Sequence, residues 1–359
     1  MLRTITRRAP RGKRDRADTA LSHRARSAAH RRQRPYRREV SSAQDTAAQV
    51  AAPPSRDEIV AAHEAIRPYL RRTPVMDVTL PGDRPVTLKL ELLQHTGSFK
   101  PRGAFTTVLT APERPRTLVA ASGGNHGLAV AYVGRTLGIP AQVFLPETAP
   151  QAKVSRLRAL GAEVTQVGQV YADALIASAD AAAEPGAMAL HAYDAPATVT
   201  GQGTLGLELD EQRDTDTVLV AVGGGGLIGG VASWFAGTGT RVVAVEPEGC
   251  DALSAALEAG HPVATHPTGI AVDSLGASTI GSICFAVAQA TSMPAVRVSD
   301  DAIRTARIWL WRELRLAAEA GGATALAALL SGAWRPEDGE RVTVVVCGAN
   351  ADPSDLPMD

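Results

Sequence analysis

The sequence predicts an α/β protein built of two open, mainly parallel sheets with helices on their faces. Three observations carry that expectation. Short apolar runs alternate with stretches of helical length from about residue 57 to residue 347, the pattern of βαβ units. Two of the runs enter glycine-rich turns that open directly into helical stretches, as ligand-binding turns of α/β proteins do. The units fall into two groups, which implies two domains with a cleft between them, where open α/β sheets bind their ligands.

The elements follow in order. Residues 57–70 have helical spacing, with Ile59, Ala62, Ile66 and Leu70 on one side. Val86, Leu88, Leu90 and Leu92 alternate with Thr87, Lys89 and Glu91, which predicts a strand with one polar face. Strands are expected at 117–121, 141–145 and 162–167, with helices at 127–137 and 151–160 between them. A helix at 171–183, a strand at 188–190 and a helix at 203–211 repeat the cycle. The strand 217–222 runs into four glycines, then a helix from Leu227 and a strand at 241–246. Helical stretches at 300–314 and 323–330 precede a last strand at 341–347. No repeat period is present, and no appended regulatory domain is expected after the last strand. The division implied is an N-terminal extension (1–52), a large domain (53–114 with 194–352), a small domain (115–193) and a tail (353–359).

Composition narrows the class. Apolar residues make up 45% and charged residues 21% of the chain, as in soluble globular proteins. No apolar run reaches the ~18 residues needed to span a bilayer, so no membrane role is expected. The zero net charge averages two unlike parts. Residues 1–40 hold fourteen Lys/Arg against three acids, leaving 23 basic and 34 acidic residues for the rest. The basic segment lacks apolar periodicity and is expected to be disordered. A nucleic-acid arm, an organelle transit peptide and a plain extension stay open for it, with no nucleic-acid partner expected. A secretory signal is excluded, because no apolar h-region is present. Cys250, Cys284 and Cys347 form no C-x-x-C pair, and an odd number makes no disulfide framework, which points to a reducing cytoplasm. The eight histidines show no metal-ligand spacing, and His261 and His266 are expected to face solvent.

Four clusters carry chemistry. In Thr96-Gly97-Ser98-Phe99-Lys100-Pro101-Arg102-Gly103, Ser98 is expected to cap a helix whose first turn holds Pro101. Lys100 then sits at a helix N-terminus, where the macrodipole favours a neutral amine, the form that makes a Schiff base. Only four of the 37 basic residues are lysines (Lys13, Lys89, Lys100 and Lys153). A chain that otherwise uses arginine keeps lysine where arginine, which forms no imine, fails. Ser122-Gly123-Gly124-Asn125-His126-Gly127 joins a strand to a helix and offers backbone N–H groups to a phosphate or carboxylate. Gly223, Gly224, Gly225, Gly226 and Leu227 form a second such cradle. That cradle also spells G-x-G-x-x-G at Gly224, Gly226 and Gly229, with Glu246 ending the next strand, so a nicotinamide oxidoreductase is a rival reading. Finally, Cys347-Gly348-Ala349-Asn350 ends the last strand, where a thiol is either a small buried hydrophobe or a weak partner for a cofactor nitrogen.

Together these clusters resemble the fold-type-II pyridoxal-phosphate family, most closely its threonine/serine dehydratase branch. The resemblance runs from about residue 54 to residue 350 and rests on LKLELLQHTGSFKPRGA, ASGGNHGLAVA, GQGTLGLEL, VGGGGLIGG, VVAVEPEG and VVVCGAN, in family order. It implies a tryptophan-synthase-β-like fold with the cofactor in the interdomain cleft. It implies that Lys100 holds pyridoxal phosphate as a Schiff base, with Phe99 against the ring and Asn125 on its phenolic oxygen. Gly223 to Leu227 would wrap the phosphate, Cys347 would face the pyridine nitrogen, and Glu319 would lie near the cofactor. Ser122, Gly124, Asn125 and His126 would hold the substrate carboxylate. The implied reaction is dehydration and deamination of L-threonine, L-serine or a related 3-hydroxy amino acid to a 2-oxo acid and ammonia, by a cytoplasmic homodimer with a small-molecule amino-acid substrate.

Departures from the family pattern matter. Racemases of the family place a serine where this chain has Gly123, so racemisation should be poor. A proline usually follows the acid at Glu319, and Ala320 stands here. The segment 269–277 departs after Asp273, which leaves the hydroxy amino acid open. Some members bind a divalent cation beside the residues after Glu246, but Asp251 and Ala252 put the usual acid out of register, and no metal is assigned. Other β-eliminating or β-replacing enzymes, a threonine-synthase-like protein and a non-catalytic ligand sensor remain alternatives.

Overall fold

The computed structural model describes residues 52–352 and residue 354; apart from Ala52 and Ser354, the expected N-terminal extension and C-terminal tail lie outside them. Helix α1 (Arg56–Ile66) begins where Ser55 and Glu58 satisfy each other's backbone N–H groups in a capping box, as helix starts require. It buries Ile59, Ala62 and Ile66 and gives way to a 3₁₀ turn at Arg67–Tyr69, so Leu70 lies outside it.

An antiparallel pair follows, β1 (Val75–Leu80) with β2 (Arg84–Lys89), in register Val75 to Lys89. After helix α2 (Lys100–Leu109) come β3 (Thr117–Ala121), α3 (Asn125–Leu137), β4 (Ala141–Leu145), α4 (Gln151–Ala159), β5 (Glu163–Gln166), α5 (Tyr171–Ala182) and β6 (Ala187–Ala189). The chain continues through α6 (Pro196–Gln212), β7 (Thr217–Ala221), α7 (Gly226–Phe235), β8 (Arg241–Pro247), α8 (Ala252–Ala259), α9 (Val272–Leu275) and α10 (Ser282–Ala290). It ends with β9 (Ala295–Val298), α11 (Asp300–Leu314), α12 (Ala320–Ser331) and β10 (Val342–Val345).

One sheet has six strands in the order β1-β2-β10-β7-β8-β9, the other four in the order β5-β4-β3-β6. Every pairing except β1 with β2 is parallel, so the α/β class with two mainly parallel sheets holds. Both sheets belong to one compact unit. Val218, Val220, Val243, Val245 and Val344 are fully buried in the larger core, as strands covered on both faces are. Leu118, Val143, Val133 and Leu157 centre the smaller one.

Two expectations need correction. The strand read as 86–92 stops at Lys89, and Glu91–Leu93 is a 3₁₀ turn. Its polar side is not solvated either: Thr87 and Lys89 are 9% and 0% exposed, because helices cover both faces of this sheet and the charges are paired inside. Ser98 does not cap α2. It is extended (φ −162°, ψ 165°) and bridges to Gly348, and Phe99 takes the cap position with no side-chain bond.

Candidate active site

The site begins with a turn. Thr96 and Gly97 take positive φ (63° and 76°), which swings the chain so that Ser98 pairs with Gly348 and Phe99 N donates to Cys347 O at 3.4 Å. The start of α2 is thereby stitched to the end of β10, and Lys100 and Cys347 come to one place although 247 positions separate their numbers. Pro101 lies in the first turn of α2, where its missing N–H costs no helix bond.

Lys100 Nζ donates to Ala192 O at 2.7 Å and lies 5.1 Å from the centroid of the Phe99 ring. Part of the residue's surface is exposed, but the amine lies within the protein. Burial pushes it down to about 8, while the charges of Cys347 and Glu319 act the other way. Cys347 is 3% exposed and its Sγ donates to Gly321 O at 3.5 Å. Burial pushes its thiol up to about 12, so it is a neutral group.

The loop after β3 makes α3 start at Asn125 with Gly124 as its cap. A Cβ on Gly127 would lie 1.8 Å from Ser122 O, so only glycine lets the turn close, whereas Gly124 has only Asp273 O and Ser122 Oγ at 3.8 and 4.0 Å. Asn125 Nδ2 donates to Glu319 Oε1 at 2.6 Å, and Asn350 Nδ2 donates to Asn125 Oδ1 at 2.6 Å and to Thr96 O at 2.8 Å. Glu319 caps the N-terminus of α12 by position and is 8% exposed, and burial holds its carboxyl above the usual carboxylate range. His126 Nε2 is 2.8 Å from Leu190 O. A carbonyl only accepts, so Nε2 carries the proton; burial first, and the Lys100 charge next, push the ring down to about 3 and keep it neutral. Ser122 Oγ accepts from Gly124 N at 3.3 Å.

The second cradle lies between β7 and α7. Gly225 has φ 87°, and a Cβ there would meet Cys284 at 2.5 Å; a Cβ on Gly224 would sit 2.3 Å from Tyr193 Cγ, and one on Gly223 2.8 Å from Leu275 Cα. The loop is thus backed by the Tyr193 and Cys284 side chains and the Leu275 backbone, which need glycine beneath them, and Leu227 anchors α7 in the core.

The residues joining these clusters were not singled out from the sequence. Segment 190–194 after β6 supplies Leu190 O to His126, Ala192 O to Lys100 and the Tyr193 ring to the glycine loop. Asp194 accepts from Ser282 N, Ser282 Oγ and Ile283 N, capping α10. His191 Nδ1 accepts from Asp194 N at 2.9 Å, and its ring meets Tyr193 edge-on at 5.0 Å. A His, a Tyr and an Asp within four residues was the available signal.

Glu246 is committed elsewhere: it accepts from Leu253 N, Ser254 N and Ser254 Oγ at 2.6–2.8 Å and caps α8. Among the described residues no group of three or more His, Cys, Asp or Glu is placed to hold a metal ion. His261 and His266 are exposed, and all three cysteines are free and buried.

The arrangement suits a phosphate-bearing aldehyde. A buried lysine amine faces a backbone carbonyl, a glycine cradle opens an α-helix, the chain of Cys347, a neutral thiol, is bonded to the Phe99 backbone, and Ser98 Oγ, two residues from Lys100, is buried without a hydrogen-bond partner. The family model described as pyridoxal-phosphate dependent enzyme matches residues 66–348. A phenylserine dehydratase of Ralstonia pickettii is 37% identical over 83% of this chain and 94% of its own length. A beta-hydroxyaspartate dehydratase of Paracoccus denitrificans is 33% identical over 85% of this chain and 99% of its own. The crystal structure of a threonine deaminase from T.th. superposes with a TM-score of 0.77 at 35% identity, covering 83% of this chain and 99% of that one.

Proposed function

The chain belongs to the pyridoxal-phosphate dependent enzyme family, and on that premise we propose that it removes water and then ammonia from a small L-3-hydroxy amino acid, leaving a 2-oxo acid. The observation that carries this reading is the buried Lys100 amine, held at 2.7 Å on Ala192 O in segment 190–194, which also meets His126 and the glycine loop. Pyridoxal phosphate, when bound, supplies an electron sink conjugated with the substrate nitrogen that acidifies the Cα proton.

Lys100 would hold the cofactor, and its Nζ would take the Cα proton, a step that requires the neutral amine. Its lowered pKa makes that form accessible near neutral pH. Gly223 to Leu227 would hold the phosphate through backbone N–H groups at the start of α7. Phe99 would lie against the cofactor ring, and Asn125 Nδ2, which donates one N–H to Glu319 Oε1 and is oriented by it, would give the other to the phenolic oxygen. Cys347, a neutral thiol, would face the pyridine nitrogen without forcing a proton onto it, which would favour elimination over transamination. The N–H groups at the start of α3, with Ser122 Oγ and the loop braced by His126, hold the substrate carboxylate. Gly123 offers no hydroxyl as a second base, so the reading is elimination rather than racemisation. The rival dinucleotide reading loses its ribose ligand, because Glu246 caps α8.

The larger sheet with residues 53–114 and 194–352 would form the cofactor domain and 115–193 the small domain. A cytoplasmic homodimer is part of the proposal; no helix among the described residues is long and apolar enough to cross a membrane. The names of the relatives make 3-phenylserine and 3-hydroxyaspartate candidates beside threonine and serine. The test is 2-oxo-acid release from all four. Turnover of at least one, with no interconversion of D and L forms, is the result expected; no turnover of any would favour a ligand sensor.

A further inference from the structure

Several residues in the segments that carry the family likeness have no part in the site: Lys89 and Glu91 before the Lys100 turn, Arg102 after it, and Glu208 on α6. The structure gathers them into one cluster. Lys89 Nζ donates to Glu208 Oε1 and Gln212 Oε1 at 2.6 Å and to Thr73 O at 2.8 Å. Arg102 donates through Nε and Nη2 to Glu91 at 2.6 and 3.0 Å, and through Nη2 to Glu208 Oε2 at 3.0 Å. Thr73 Oγ1 donates to Glu91 Oε2 at 2.7 Å. None of the four charged residues is more than 3% exposed, and two cations balance two carboxylates. Lys89 spends its three N–H bonds on three separate acceptors, which a planar guanidinium matches poorly. A second of the four lysines in this arginine-rich chain is thereby explained.

A neutral buried cluster of this kind is a weak source of stability, because desolvation of its charges offsets their attraction. What it fixes is placement. Glu91 follows β2, where Val346 N donates to Lys89 O at 2.9 Å and Leu92 N to Val346 O at 2.7 Å, one residue short of Cys347. Arg102 stands two residues after Lys100 in the first turn of α2, and Glu208 lies on α6. We propose that Lys89, Glu91, Arg102 and Glu208 are positioning residues that lock the first turn of α2 to the end of β10 and to α6, and so set the separation of Lys100 Nζ from Cys347. The inference rests on Lys100 being the imine lysine.

The test uses Arg102→Lys, which keeps the charge but loses the fork, and the paired change Lys89→Met with Glu208→Leu, which removes a cation and an anion together and repacks with apolar groups. Cofactor-free protein is mixed with pyridoxal phosphate, and growth of the visible imine band is followed beside the melting temperature, kcat and KM. The expected result is folded protein in which band growth and kcat both fall ~10-fold or more with KM little changed, since a misplacement of about 1 Å costs up to ~100-fold. Should Arg102→Lys fail to fold, the paired variant decides. Folded variants with lower melting temperatures but wild-type band growth and kcat would overturn the proposal. Persistence of the band in Lys100→Ala would instead overturn the reading on which it rests.

Discussion

Replacing Lys100 by methionine in the cofactor-free protein should change how stability depends on pH, by an amount that follows from the burial of its amine. The ordinary value of 10.5 falls to about 8 in the fold. Between those values the unfolded chain binds more protons than the native one, so stability gained from Lys100 rises with pH across that window. At pH 7 the buried, mostly protonated amine costs about 3 kcal/mol relative to an unshifted lysine, and at pH 10 under about 1 kcal/mol. These are upper figures, because part of the residue is exposed and the bond to Ala192 O offsets some of the cost. Methionine is close in length and has no charge to bury. Urea unfolding of wild type and Lys100→Met at pH 7 and pH 10 cancels every other titrating group. Wild type should gain about 2 kcal/mol on the variant between the two pH values. Parallel pH dependences would refute the burial of the amine and the argument for its neutrality.

Other outcomes follow from the same geometry. Glu319→Gln removes a negative charge that raises the Lys100 pKa, so the pH profile of imine formation should move to lower pH; a move upward contradicts the placement. Gly224→Ala drives a Cβ to within 2.3 Å of the Tyr193 ring, which should cost ~1–3 kcal/mol in denaturant unfolding and weaken cofactor binding; adding Tyr193→Ala should restore much of the stability. Asp194→Ala deletes the cap of α10 and should cost ~1–2 kcal/mol. Lys153→Ala breaks only an exposed pair with Asp273 and should cost less than about 1 kcal/mol in the same assay.

How far the sequence was legible depends on distance along the chain. The strand–glycine–helix turns at Ser122–Gly127 and Gly223–Leu227, and the helix opening at Lys100, are local, because glycine need and helix-end electrostatics are properties of a few neighbouring residues. The order of those turns sufficed for the fold class. The edge strands β1 and β9 escaped notice, since short strands at sheet edges carry little periodicity. Ser98 was misread as a cap because its real partner, Gly348, lies at the far end of the chain. The alternation of β2 misled for a related reason: Lys89 resembles a solvated residue until Glu208 and Gln212 are brought to it by α6. Segment 190–194 could not be ranked from sequence, since its use lies in backbone carbonyls and a ring that other elements meet. The resemblance implies a cofactor contact for Asn125, but its links to Glu319 and Asn350 join residues 194 and 225 positions away.

Covalent mapping tests the central claim most directly. The protein loaded with pyridoxal phosphate is reduced with borohydride, digested and its peptides weighed. The account predicts a phosphopyridoxyl group on Lys100 and on none of Lys13, Lys89 or Lys153, with loss of the visible band on reduction. A label on another lysine, or no label on a protein that turns over its substrate, would contradict it.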